Sequence, residues 1–292
     1  MSENVYLNGN VIPRGEAKVS AFDAGLLHGA SAFTTMLARA GRVFRLQRHL
    51  HRLMHTVSVL DLRTDATAEN LEKAVYQLLS ANELSDARVR VTLTPGAVGR
   101  MGEGEQDEPP TTLITAEPLP EYPSEWYEKG IGVVISPFKQ LAGDPAFGFK
   151  TGCYMPRVLA RKEAAAKGYD EALWFTTENL LAEACFCNVF LVREGEVRTP
   201  PVGTPVLPGV VREAVIELCE QLDLPCDADA PLTIDDVLAA EEIFLTSSTA
   251  GIRPVARVEK HPVGDDKPGV IARKLMEAYE QLLVSECGPR EQ

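Results

Sequence analysis

Phe147-Gly-Phe-Lys150-Thr-Gly-Cys-Tyr154, continued by Gly168-Tyr-Asp170-Glu171-Ala-Leu-Trp174 and Leu181-Ala-Glu183-Ala-Cys-Phe-Cys-Asn188-Val-Phe190, is the stretch whose reading decides the fold. Lys150 lies at its centre. A lysine flanked by Phe147 and Phe149 and followed by small residues is expected to be poorly solvated. A desolvated ammonium gives up its proton more readily, which leaves an amine able to form a Schiff base. The local signal is not unique, because Lys139 also follows a phenylalanine, Phe138. A stem lying along apolar surface with its head in water would account for either lysine. What separates them is the company downstream of Lys150.

Tyr154 to Ala166 reads as a helix closed by Gly168. If that helix starts at once, Tyr154 falls on the helical side of Lys150, four residues on. Glu171-Ala-Leu-Trp-Phe175 and Asn188-Val-Phe-Leu-Val192 read as buried strands. Beyond them, Val206-Leu-Pro208-Gly209-Val210-Val211 opens a helix running to Leu222, and amides at such a start form an anion site. Ala240 to Gly251 reads as a strand ending in a hydroxyl cluster that includes Ser248 and Thr249, and Val270 to Val284 as an amphipathic helix.

Upstream, Val5 to Pro13 reads as a hairpin around Asn8-Gly9. Val19 to Met36 lacks strand alternation. Arg42 to Leu46 alternates, and a helix then opens at Gln47; a second helix, Ala68 to Leu84, carries Leu71, Ala74, Val75, Leu78 and Leu79 at helical spacing. Arg88 to Thr94 alternates strictly as a strand, with one of its two arginines expected to turn inward. Pro95 to Gly102 is a glycine-rich loop, and Thr111 to Ala116 a further strand. Glu117-Pro-Leu-Pro-Glu-Tyr-Pro123 holds three prolines without periodicity and is the expected linker. The expected domains are therefore 1–116 and 124–292.

A formal charge of −13 argues against nucleic acid or an anionic membrane as partner. The start has no basic and apolar leader pattern and no run has membrane-spanning length, so a cytoplasmic protein is expected. Six cysteines without a Cys-x-x-Cys pair indicate neither a disulfide framework nor a zinc site. His49, His51 and His55 lack a carboxylate at ligand spacing, and no metal is expected.

Lys150 with its downstream partners resembles the class IV, or fold type IV, pyridoxal-phosphate enzymes: branched-chain and D-amino-acid aminotransferases, (R)-amine transaminases and aminodeoxychorismate lyases. The resemblance runs from Tyr6-Leu-Asn-Gly9 to Gly251-Ile-Arg-Pro254-Val255. It implies an α/β protein of two domains, a small N-terminal and a larger C-terminal one, with pyridoxal 5′-phosphate between them. It also implies a homodimer acting on an amino acid and a 2-oxo acid.

Within the resemblance, Lys150 is the Schiff-base lysine and Glu183 the partner of the pyridinium nitrogen. Tyr154 contacts the 3′-oxygen. Arg52, in His49-Leu50-x-Arg52-Leu53, binds the phosphate with Val210, Val211, Ser248 and Thr249. The substrate side comprises His28 and Phe33, with the carboxylate assigned to either Arg90 or Arg100. For His28, a hydrogen-bonded histidine on a buried turn stays the open alternative. Thr34 stands where many relatives carry Glu, and Cys185 and Cys187 replace small hydroxyl residues. Tyr154 favours transamination of a D-amino acid or branched-chain substrate. Phe33-Thr34-Thr35 is lyase-like and keeps an aminodeoxychorismate lyase as the alternative; a non-catalytic protein on the same fold is the third reading.

Overall fold

Asn8 and Gly9 both take positive φ, +46° and +94°, and reverse the chain between β1 (Asn4–Leu7) and β2 (Asn10–Pro13). Two-residue hairpins need that geometry at both turn positions, which Asn-Gly adopts at least cost. The computed structural model describes residues 3–97 and 109–289. The chain divides into two compact units, one comprising residues up to Pro120, Phe149–Cys153 and Leu283 onward, the other Glu121–Gly148 and Tyr154–Leu282.

The first unit continues with α1 (Ala24–His28), β3 (Ala32–Arg39), β4 (Arg42–Val43), α2 (Leu46–Val59), α3 (Ala68–Ala81), β5 (Ala87–Thr94) and β6 (Thr111–Pro118). Its six strands form an antiparallel sheet in the order β2-β1-β6-β5-β3-β4. α2 and α3 bury Leu50, Leu53, Leu71, Val75 and Leu78 against Met36, Ala38, Val89, Val91 and Leu93 of the sheet. β3 is a strand although its sequence does not alternate. Seven of its eight residues are buried, so both faces are covered and alternation has no reason to appear. Buried Asp23 accepts from Gly25 N, Thr94 Oγ1 and Thr111 Oγ1, each at 2.7 Å, which fastens the start of α1 to β5 and β6.

The second unit holds α4 (Glu125–Glu128), β7 (Ile131–Gln140), α5 (Met155–Ala166), β8 (Glu171–Thr176), β9 (Leu181–Ala184), β10 (Asn188–Arg193), β11 (Glu196–Arg198), α6 (Val210–Gln221), β12 (Cys226–Asp227), α7 (Ile234–Leu238), β13 (Glu242–Ser247), β14 (Gly251–Val258) and β15 (His261–Pro262). α8 (Val270–Cys287) runs across the division at Leu282. The nine-stranded sheet has the order β12-β11-β10-β13-β14-β7-β8-β9, with β15 on β14. Its pairs β11–β12, β14–β7 and β7–β8 are parallel. One face buries Val133, Leu173, Val189, Leu245 and Val255, the other packs Val134, Trp174 and Cys185 against Ala160 and Ala164 of α5. Both faces being apolar, β8 is buried along its whole length. Among the described residues no helix is long and apolar enough to cross a membrane.

Candidate active site

In the first unit the Lys150 segment lies along the start of β3. Phe33 N donates to Lys150 O at 2.9 Å, Gly152 N donates to Ser31 O at 3.0 Å, and Ala32 bridges Thr151. Gly152 lets the two segments approach closely, since a Cβ there would overlap Ser31 Oγ unless that hydroxyl moved. The pairing sets Lys150 Nζ 4.8 Å from the centroid of the Phe33 ring. Phe33 pairs with Thr92 and Thr35 with Arg90, so these four share a sheet face. Arg90 lays its guanidinium over the same Phe33 ring, 3.5 Å from the centroid, and its Nε donates to Thr92 Oγ1. Arg88, two residues earlier, is on that face too but exposed.

The opposite face of β3 carries Thr34. Its hydroxyl lies 2.9 Å from His49 Nδ1 and accepts from an Arg52 guanidinium nitrogen at 3.3 Å. Burial, aided by the charges of Arg52 and Lys150, lowers the His49 pKa well below the ordinary imidazole value. His49 is therefore neutral at physiological pH and its Nδ1 can accept from Thr34 while Thr34 accepts from Arg52. The sequence supplies this array from one turn of α2, because residues 49 and 52 are three apart and share a helix side. His28 is exposed at the end of α1, which removes the buried-turn alternative. Arg100 lies outside the described residues.

In the second unit, Glu183 of β9 is buried and both its oxygens are engaged. Arg157 donates to Oε1 at 2.5 Å and Leu207 N to Oε2 at 3.2 Å. Arg157 also donates to the carbonyls of Ala184 and Cys185, at 3.0 and 3.1 Å. Its guanidinium faces the Tyr154 ring, which stacks on Phe186 with planes 10° apart. Asn188 Nδ2 donates to Leu207 O at 2.8 Å. Gly209 follows at the N-cap of α6, where a Cβ would overlap Asn188 Oδ1 and no side chain caps the helix. The amides of Val210 and Val211 thus begin α6 without intrahelical acceptors. At the far end of β13, Thr249 Oγ1 bonds to Tyr122 OH at 2.7 Å, Ser248 is partly exposed, and Thr246 Oγ1 is buried without a hydrogen-bond partner among the described residues.

Residues 31–258 match the family described as amino-transferase class IV. The chain belongs to the class IV aminotransferases. A Methanocaldococcus jannaschii protein, provisionally named a branched-chain-amino-acid aminotransferase, is 33% identical to it over 95% of this chain and 96% of its own length. A Staphylococcus haemolyticus D-alanine aminotransferase is 26% identical over 96% of this chain and 98% of its own. The crystal structure of the Escherichia coli branched-chain amino acid aminotransferase superposes with a TM-score of 0.92, at 25% identity, covering 100% of this chain and 97% of that one.

Three hydrogen-bonding groups beside the expected residues of the aminotransferase, Arg157, Asn188 and the Thr34–His49 pair, were not read from the sequence as partners. Arg157 is the clearest. It sits in the first turn of α5, where the helix dipole disfavours a cation, and that misfit was a legible sign that it has an anionic partner. Asn188 and the Thr34–His49 pair had no such sign. Cys185 and Cys187 accept from Trp174 Nε1 at 3.3 Å and from Arg253 at 2.9 Å. Burial, with the Glu171 carboxylate close by, pushes the Cys185 thiol up to about 12, so it remains a thiol at neutral pH. Among the described residues no group of three His, Cys, Asp or Glu side chains could hold a metal.

Proposed function

We propose that this aminotransferase depends on pyridoxal 5′-phosphate and exchanges an amino group between an amino acid, of D- or branched-chain type, and a 2-oxo acid. The observation that carries the reading is the backbone pairing of Lys150 with β3, which holds the amine of this half-buried residue near the Phe33 ring, the ring that also carries the Arg90 guanidinium. The residues present fit the cofactor. Thr246 Oγ1 is a buried hydroxyl in want of a partner, and the uncapped amides of α6 in the same unit offer donors to a phosphate.

When bound, pyridoxal phosphate supplies an electron sink for the charge left on breaking a bond at the substrate Cα. In this reading Lys150 Nζ would be the covalent anchor and the base that takes the proton from the substrate Cα. Glu183 would accept the ring N–H, and Tyr154 would contact the 3′-oxygen. Arg52 of the first unit and Val210, Val211, Ser248 and Thr249 of the second would hold the phosphate. Phe33 and exposed His28 face the substrate, and Arg90, already oriented by the Phe33 ring and Thr92, is favoured over Arg100 for the carboxylate.

The first unit also exposes Phe22 and Leu26, each more than two-thirds accessible, with Val19 and Leu27 beside them in sequence. Apolar surface of this kind supports a homodimer. A cytoplasmic location is part of the same reading, and the formal charge of −13 accords with it.

Borohydride reduction of the protein with pyridoxal phosphate, followed by peptide mapping, tests the anchor. Label at Lys150 and none at Lys139 is expected, and label at another lysine overturns the assignment. A panel of D- and L-amino acids, read by conversion of the visible band to the pyridoxamine form, then identifies the donor. Pyruvate and 4-aminobenzoate from aminodeoxychorismate without any acceptor would establish the lyase instead.

A further inference from the structure

Arg157 is placed where a cation is ordinarily unwelcome. It lies in the first turn of α5, facing the positive end of the helix dipole, and its side chain is only 12% exposed. Its partners compensate for this. One guanidinium nitrogen reaches the carbonyls of Ala184 and Cys185, the other Glu183 Oε1, so a single planar fork spans the end of β9 and the turn after it. The fork is itself held by two rings, with the Trp174 centroid 5.4 Å and the Tyr154 centroid 5.9 Å from its carbon.

The effect on Glu183 is geometric. Oε1 is bound by Arg157 of α5 and Oε2 by Leu207 N in the segment before α6, so the carboxylate cannot rotate without breaking a hydrogen bond. Each oxygen of a carboxylate has a second lone pair, so an acceptor site of fixed direction is left over.

We propose that Arg157 is a positioning residue of this aminotransferase, fixing the Glu183 carboxylate in the one rotamer that accepts the ring N–H of pyridoxal phosphate. The inference rests on the reading of Glu183 given under the proposed function. A merely structural Arg157 would stabilise the α5–β9 contact and leave cofactor orientation alone.

The test titrates pyridoxal 5′-phosphate into the full-length apoprotein of wild type, Arg157→Met, Arg157→Lys and Glu183→Gln. Dissociation constants come from tryptophan fluorescence, ring orientation from the visible circular dichroism per bound cofactor, and folding from Tm. Arg157→Met is expected to raise Kd at least about tenfold, the loss typical of a hydrogen bond to a charged group, and to reduce the dichroism at saturation. Arg157→Lys keeps the charge but not the fork, and should fall between Met and wild type. Should Arg157→Met fail to fold, the lysine variant carries the test. A folded Arg157 variant with lowered Tm but wild-type Kd and dichroism overturns the proposal, provided Glu183→Gln changes both. If Glu183→Gln also leaves both unchanged, the assignment of Glu183 itself has failed.

Discussion

Phe138-Lys139 and Phe149-Lys150 are alike in local sequence and different in surroundings. Lys139 is exposed near the end of β7, with Nζ donating to Asn179 Oδ1 at 3.2 Å and lying 5.2 Å from the Phe175 centroid. Lys150 is half-buried, and its backbone, unlike that of Lys139, is tied by a short bridge to β3, which brings the Phe33 ring to its amine. The phenylalanine that precedes each lysine decides nothing. The preceding Phe149 packs near His55, 6.2 Å between ring centroids, while the ring beside the Lys150 amine is Phe33, over a hundred residues away in sequence. A lysine's chemistry therefore follows from the strand its backbone joins.

Removing each side chain of this pair should give opposite results, and the largest effect is Lys150→Ala. Turnover should fall at least about 10²-fold, the lower end for loss of a positioned acid–base group, with Tm close to wild type. Steady-state kinetics with thermal melts would check it, and near-normal turnover would erase the distinction between the two lysines. Phe33→Ala tests whether the ring is what makes the Lys150 environment. Phe33 is almost wholly buried, so a loss of roughly 3 kcal/mol by urea unfolding is expected, together with a raised KM as Arg90 loses its support.

A third, smaller effect concerns the opposite face of β3. Burial, then Arg52 and Lys150, depress the His49 pKa well below 6.5. Between the folded value and 6.5 the unfolded chain binds a proton there that the folded chain refuses. Stability from this site is thus level above 6.5 and declines as the pH drops below it. His49→Gln should flatten the acid side of a Tm–pH curve, and an unchanged slope would contradict a neutral, buried His49. The smallest effect is Lys139→Ala, expected to alter stability by no more than about 0.5 kcal/mol and turnover not at all.

The fold was legible where local chemistry dominates. Asn8-Gly9 specified its hairpin, the alternation of Arg88 to Thr94 its strand, and Leu71 to Leu79 the buried side of α3. It was illegible where burial is two-sided or polar. β3 hides its strand character because both faces are covered. β14, Gly251–Val258, was passed over because it carries Arg253 and Pro254, the first a buried cation whose partners, Glu171 and Cys187, come from β8 and the turn before β10. For the candidate site, the apolar flanks drew attention to Lys150, whereas Arg52 and Glu183 entered only through the resemblance to the family. Which group holds Glu183 still could not be read, since Arg157 is 26 residues away and reaches it only through the packing of α5 on the sheet.

The hydrogen bond from Phe33 N to Lys150 O, with Gly152 N to Ser31 O two residues on, works as a mooring. The main chain under Lys150 is a fixed pivot, and its amine swings only through the torsions of its own four-carbon stem. Such rotations are far faster than loop or domain rearrangements, so the handover of the amine should add no slow phase to a pre-steady-state trace.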